Sequence, residues 1–220
     1  GTEHALLTLQ NAQSCAVGPG ASHEVSLLDN EARPDVEFAL SSSADDEGVT
    51  VLVDLILSAP VGIPVTIDLA YGGAASGGDA SEVASVTFLA QDISAVLSLD
   101  LLADGLHELP EDLVMTLQAT DSAEPGILAT HTLTINDLDP EPVLGFLLPS
   151  QDVIEDDAVM STEVVLSTVS GRETLVSYSV SGASSADEGF DFSDTISNGL
   201  IVIPAGQISG TLQMQLLEDA

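Results

Sequence analysis

Acidic side chains recur in this sequence at a fixed interval. Asp29 and Glu31 close one short alternating segment, and Asp137 and Asp139 close another 108 positions later. Grouped carboxylates repel one another unless something neutralises them, and cations are their natural partners. The recurrence therefore predicts a repeat array whose repeat ends carry cation-binding acids.

The overall charge points the same way. The chain of 220 residues has 36 acidic residues, two arginines (Arg33 and Arg172) and no lysine, which gives a formal net charge of -34. Such a charge repels nucleic acid and anionic membrane surfaces, so we expect neither as a partner. No stretch approaches the ~20 apolar residues of a membrane span, so we expect no membrane insertion. A solvated acidic surface suited to a salty exterior is the alternative interpretation of most of the charge.

The repeat offset divides the chain into three parts. Residues 1–31 resemble the C-terminal strands of a repeat whose body is absent, and residues 33–139 form one complete repeat. Residues 141–220 begin a further repeat that lacks its last strands, because LLEDA at 216–220 matches LLADG at 101–105. We expect this last part to be completed by residues 1–31 of a neighbouring chain or repeat.

Short alternating segments indicate the elements that position the acids. In the complete repeat they lie at 49–57, 65–71, 85–90, 95–101, 113–119 and 128–135, with Gly, Pro, Asp and Ser between them. No segment has a sustained helical period. The pattern predicts an all-β fold of antiparallel sandwiches with about seven strands per repeat. Proline in the junctions at 31–35 and 139–143 predicts that successive domains lie almost end to end.

Several motifs follow these strands in a constant order. An early acid comes after the first strand (Glu47 and Glu155), and a Gly-to-Asp turn follows (Asp79 and Asp191). The stretch GLIVIPAGQISGTLQMQLLEDA and the acidic segment ADGLHELPEDLVMTL come next. With these motifs the whole chain resembles the Calx-beta family, the immunoglobulin-like sandwich of sodium/calcium exchangers and many bacterial surface proteins. The chain departs from the family pattern at Ala80, where an aromatic residue is usual, and in its split closing acids.

The resemblance implies tandem immunoglobulin-like sandwiches whose acids converge on one pole and bind Ca²⁺. Calcium needs six to eight oxygen ligands, which carboxylates from several loops can supply. For the complete repeat the implied ligands are Glu47, Asp79, Asp104, Glu108, Asp137 and Asp139. For the repeat divided between the chain ends they are Glu155, Asp191, Asp219, Glu3, Asp29 and Glu31. Turn and strand-end acids without any metal are the alternative.

Nothing in the sequence predicts an active site. HELPE at 107–111 lacks the second histidine of a zinc-protease helix and contains Pro110. His23 and His131 occupy equivalent places, where we expect them to face solvent rather than bind a ligand. Cys15 is alone, so it is either an inert buried thiol or an intermolecular link, and we expect it to be inert.

These observations predict a non-enzymatic, extracellular or cell-surface structural module. It would be the repeat unit of a surface filament or long adhesin, stiffened by calcium at domain junctions. The units would associate head-to-tail by strand complementation or continue in a longer array. Two alternatives are a monomeric calcium-sensing regulatory module and a ligand-binding adhesin domain.

Overall fold

The computed structural model describes residues 2–28, 32–75 and 77–218, and every regular element in that part of the chain is a β-strand. The prediction of an all-β fold is therefore confirmed. The first eleven strands are β1 (Glu3–Thr8), β2 (Ser22–Leu27), β3 (Asp35–Phe38), β4 (Ser42–Asp46), β5 (Thr50–Leu57), β6 (Val65–Gly73), β7 (Ser85–Phe88), β8 (Ser94–Asp100), β9 (Glu111–Leu117), β10 (Glu124–Pro125) and β11 (Thr130–Asn136). The other six are β12 (Leu144–Phe146), β13 (Val159–Leu166), β14 (Thr174–Ser177), β15 (Phe192–Ser193), β16 (Leu200–Ile203) and β17 (Ser209–Leu216).

Strands β3 to β11 form a closed sandwich, which we call the middle unit. One sheet has the order β10-β3-β5-β8 and the other has the order β4-β11-β9-β6-β7. Most pairs are antiparallel, but β4 runs parallel to β11 and β10 runs parallel to β3. This arrangement of two sheets, with the first strand shared between them, is that of an immunoglobulin-like sandwich.

The middle unit has nine strands rather than about seven, for two physical reasons. The chain crosses from one sheet to the other after Phe38, so the first strand divides into β3 and β4. The two-residue strand β10 forms where the backbone N–H of Glu124 donates to the carbonyl of Pro34 at 3.0 Å. Both additions cover sheet edges that would otherwise be left unpaired.

The core of the middle unit comes from inward-facing residues of both sheets. In β5 buried and exposed residues alternate along all eight positions, as the period of two requires. Phe38 and Phe88 are the largest fully buried side chains, and aliphatic residues fill most of the remaining space. His131 is also buried, at 2% exposure, so the expectation that it faces solvent is wrong. Its ring nitrogens lie 2.9 Å from Ser43 Oγ and 2.7 Å from the carbonyl of Leu40, which ties β11 to β4.

Strands β12 to β17 form a more open structure, the second unit. Its sheets have the orders β12-β13-β17-β15 and β14-β16. The buried cluster between the sheets consists of Val164, Ile201 and Leu212. Large apolar side chains such as Phe146 and Leu175 are exposed at 58% and 60%. The second unit therefore leaves much of its apolar surface in contact with water.

Strands β1 and β2 form an antiparallel hairpin. Within the described residues neither strand pairs with any other strand, and Val25 is the one hairpin strand residue that is even partly buried. Cys15 lies exposed in the connecting loop, so a buried thiol is the wrong description of it. Nothing in the described part of the chain folds into an apolar helix of membrane-spanning length.

Candidate metal centre

One end of the middle unit, the acid pole, gathers acids that follow strand ends. Glu47 follows β4, and Asp79 lies between β6 and β7. Asp104 and Glu108 lie in the loop from β8 to β9, and Asp137 follows β11 directly. The parallel strands β4 and β11 end at the same edge of the sheet, and the antiparallel strand β9 begins there, so these separate loops meet at one pole.

Three carboxylates at this pole are close enough to share one ion. Oxygens of Glu47, Asp104 and Asp139 all lie within 4.8 Å of one another, and this is the one such group among the described residues. A cavity of about 20 Å³ lies beside them, enough for roughly one water-sized sphere. Its lining includes five of the six acids implied for the middle unit, namely Glu47, Asp79, Asp104, Glu108 and Asp137. The structure thus brings together all six predicted residues of the complete repeat.

Backbone hydrogen bonds hold the cluster in place. The Oε1 atom of Glu47 accepts from the N–H of Leu138 at 3.1 Å, and the N–H of Glu47 donates to the carbonyl of Asn136 at 3.0 Å. Asp104 Oδ1 accepts from the N–H of Leu106 at 2.7 Å within its own loop. Glu47 is therefore fixed to the end of β11, the segment that carries Asp137 and Asp139.

Asp137 is the anchor of the loop between β8 and β9. Its side chain accepts from the N–H groups of Glu108 and Asp139, each at 2.8 Å, and lies 3.1 Å from His107 Nδ1. Burial alone would raise the pKa of Asp137. The two N–H donors and the His107 imidazole outweigh this and hold the pKa below its usual value. Asp137 is thus ionised and fixed, which makes it a structural organiser of the pole.

The neighbouring acids have the opposite electrostatic environment. Burial raises the pKa of Glu47, and the charges of Asp139, Asp137 and Asp104 raise it further against the Leu138 N–H. Burial also raises the pKa of Glu108, with contributions from Asp104 and Glu111 among other acids. Carboxylates held together in this way disfavour their own ionised forms. A cation placed among them would reverse that effect.

One acid of the pole is absent from the predicted set. Glu111, the first residue of β9, lines the same cavity as Glu47 and raises the pKa of Glu108. The signal was present in the sequence, because the offset of 108 places Glu3 on Glu111 and Glu3 was among the predicted residues.

The second predicted set is not assembled in the described structure. Glu155 and Glu3 are exposed. Asp191 Oδ2 accepts from the N–H of Asp187 at 2.6 Å within a local turn. None of the three belongs to a group of carboxylates close enough to hold an ion. The other predicted members, Asp29, Glu31 and Asp219, lie outside the described residues.

Comparisons with known proteins find similarity to solved structures alone. No family model matches the chain, and no curated protein matches it. Among solved structures it is similar to CBD12 from CALX1.2, at 14% identity and TM-score 0.44, over 84% of this chain and 76% of that one. It is also similar to the apo-form Calx CBD1 domain, at 14% identity and TM-score 0.44, over 49% of this chain and 100% of that one. At these values the function of the site rests on its own geometry.

The loop that carries Asp104 and Glu108 also contacts the second unit. His107 forms an isolated parallel bridge with Ser170. Its carbonyl accepts from the N–H of Gly171 at 3.1 Å and from Ser170 Oγ at 3.2 Å. A Cβ on Gly171 would overlap the Glu108 side chain, so only glycine lets this carboxylate lie against the second unit. The acid pole and the junction between units are therefore built from one loop.

Proposed function

We propose that this protein is a non-enzymatic structural module that binds Ca²⁺ at the acid pole of the middle unit. The observation that carries the proposal is the group formed by Glu47, Asp104 and Asp139, whose oxygens lie within 4.8 Å of one another. Carboxylate oxygens are the preferred ligands of calcium, and the other acids of the pole surround this group. The Calx-beta resemblance of the sequence supports the same ligand.

The consequence of binding would be mechanical. Calcium supplies positive charge and coordination for several oxygens at once. Without it, burial and then the repulsion of neighbouring carboxylates raise the pKa values of Glu47 and Glu108. Relieving that repulsion favours one position of the loop between β8 and β9. Because His107 in this loop contacts Ser170, fixing the loop would also fix the second unit against the middle unit.

The cellular setting we propose is an extracellular or cell-surface filament or long adhesin. A net charge of -34 suits a calcium-rich exterior and disfavours nucleic acid. Affinity in the range of about 10⁻⁴ to 10⁻³ M is typical of extracellular modules. The module would associate head-to-tail with further copies or continue in a longer array.

The test is thermal unfolding of the whole chain with 10 mM calcium and with excess chelator. For affinities of about 10⁻⁴ to 10⁻³ M, this concentration should stabilise the folded state by about 1.4 to 2.7 kcal/mol. Small-angle scattering of the same samples should show a narrower distribution of lengths with calcium. Identical melting curves with and without chelator would falsify the metal proposal. A calcium-dependent melt with unchanged scattering would leave a calcium-binding module and remove the stiffening role.

A further inference from the structure

The N-terminal hairpin repeats the pairing of a hairpin inside the middle unit. Strand β1 pairs with β2 so that Glu3 faces Leu27 and Thr8 faces Ser22. Strand β9 pairs with β11 so that Glu111 faces Ile135 and Thr116 faces Thr130. All six pairs of the first hairpin correspond to pairs of the second at the constant offset of 108. The two hairpins are therefore equivalent in register as well as in sequence.

Their surroundings differ completely. In the middle unit, Met115 and Leu117 of β9 are 0% and 3% exposed. The equivalent residues of the first hairpin, Leu7 and Leu9, are 58% and 69% exposed. A hairpin with this register and one apolar face fits beside the inner strands of a sandwich. Among the described residues, no other strand of this chain pairs with it.

The second unit has a strand edge that lacks the partner present in the middle unit. In the middle unit, β6 runs for nine residues because residues 65–68 pair with β7 and residues 69–73 pair with β9. In the second unit the equivalent strand β14 pairs with β16 and ends at Ser177, where the partner equivalent to β9 would begin. The N–H of Tyr178 donates to the carbonyl of Gly199 just as Leu69 donates to Ala84, which fixes the correspondence.

We infer that the second unit binds the β1–β2 hairpin of another copy of this chain. Strand β1 adds to residues 178–182, which become the missing half of β14, and β2 lies on the outer side of β1. The register of the middle unit gives the pairs, because there Leu69 faces Leu117, Tyr71 faces Met115 and Gly73 faces Leu113. The corresponding new pairs are Tyr178 with Leu9, Val180 with Leu7 and Gly182 with Ala5. This inference deepens the head-to-tail association proposed above and rests on it.

The chain's own hairpin cannot reach this site. The hairpin is joined to β3 at the pole opposite the acid pole, where Ser58 Oγ accepts from the N–H of Asp35. The second unit contacts the acid pole through Ser170, and its residues 178–182 run toward its far end. The start of β3 and residues 178–182 are therefore two strand lengths apart, roughly 50 Å. The connection from Leu28 to Pro34 spans at most about 20 Å. A second copy meets no such limit, since its middle unit simply follows its docked hairpin.

A disulfide trap tests the register directly. In the complete chain with C15S, the pair T8C and S179C corresponds to Thr116 and Ala70, which face each other in the middle unit. Facing positions in an antiparallel pair have Cα atoms about 4.5 to 5.5 Å apart, within disulfide range. Mild oxidation should yield a ladder of dimers and longer covalent species that reductant collapses to monomer.

The matched control is T8C with S177C, which moves one cysteine two residues along the same face of the strand. The control should lose the ladder, because a diagonal separation of about 7 to 8 Å is too long for a disulfide. Equal ladders from both pairs would show unspecific collision and overturn the inference. A crosslink confined to monomers would also overturn it, because the chain's own hairpin would then occupy the site. No crosslink at all would overturn it as well, because the site would then hold a different occupant or none.

A second measurement separates docking from folding. L7E places a charge on the docked face of β1, whereas L6E places the same charge on the opposite face. In sedimentation at raised concentration, L7E should abolish association and L6E should retain it. Both variants should keep the calcium-dependent melt of the middle unit, because the hairpin is exposed in the isolated chain. If the unmodified chain does not associate but keeps its calcium-dependent melt, the docking inference fails and the metal proposal stands. If it associates but its melt does not respond to calcium, the metal proposal fails and the docking inference stands. Equal behaviour of L6E and L7E in sedimentation contradicts the docked orientation.

Discussion

The middle unit and the second unit share a sequence pattern but differ in closure. The middle unit contains the hairpin β9–β11, buries Leu113 and Leu133 completely, and gathers its acids at one pole. The second unit lacks an equivalent hairpin within the described residues, and its Glu155 and Asp191 are not gathered. The difference indicates that local sequence forms individual strands, whereas the closed core and the gathered acids occur only where the closing hairpin is present among the described residues.

The largest expected effect comes from truncating one leucine in each hairpin. L117A removes a buried side chain from the middle unit and should lower its free energy of unfolding by about 2 to 4 kcal/mol. L9A changes the equivalent but exposed residue and should change stability by less than about 0.5 kcal/mol in dilute solution. Urea denaturation of both variants measures the difference. Similar losses in the two variants would mean that the first hairpin is already buried.

The next comparison concerns calcium. E47Q combined with D104N removes two members of the close group and should abolish the stabilisation by 10 mM calcium, about 1.4 to 2.7 kcal/mol. E155Q combined with D191N changes the equivalent acids of the second unit, which are not gathered, and should leave that stabilisation unchanged in dilute protein. Differential scanning calorimetry with and without calcium is the measurement. If the second pair abolished the effect instead, the ion would belong to the second unit.

Acidification should produce a smaller stabilisation in metal-free protein. The folded-state pKa values of Glu47 and Glu108 are raised above their usual value of 4.5, so the folded state binds protons more tightly than the unfolded state. Their contribution to stability therefore grows as pH falls from 7 toward 4.5. Asp137, with a lowered pKa, loses its contribution only below about 3.8.

The measurement is the melting temperature in chelator across pH 7 to 4.5, for the unmodified chain and for E47Q combined with E108Q. The difference between the two proteins should shrink as pH falls, because protonation of the unmodified chain mimics the glutamines. In calcium the trend should reverse, since protons compete with the ion. A constant difference at all pH values would contradict the assigned pKa directions.

The smallest expected effect is at the junction. G171A adds a Cβ that overlaps the Glu108 side chain, so this carboxylate must leave its position against the second unit. Calcium-dependent stabilisation should fall by less than about 1 kcal/mol, because Glu108 is only one of the surrounding acids. G145A, at a glycine with open space around its Cβ position, is the control and should have no effect on the calcium response. Calorimetry would report the change in calcium-dependent stabilisation, and scattering would report any change in how the second unit lies against the middle unit.

The sequence predicts the long strands of the middle unit well, and it predicts less of what depends on distant partners. The period of two in β5 matches its alternating burial, and the family resemblance implied six residues that the structure brings to one pole. Short strands such as β4 and β10 escape prediction because they form by pairing with remote segments. The burial of His131 escapes for the same reason, since Ser43 and Leu40 are its partners across the sandwich.

The early end of β14 has a protective consequence. An exposed strand with unpaired N–H and C=O groups is a template for aggregation with any extended chain. Residues 178–182 read YSVSG and hold no strand conformation in the described structure, although Tyr178 and Val180 are residue types that favour strands. While it is irregular, this edge offers no continuous ladder to an extended chain. Under the docking inferred above, it would become a strand only when the hairpin binds, so a highly charged chain with an open apolar face would be selective in what it joins.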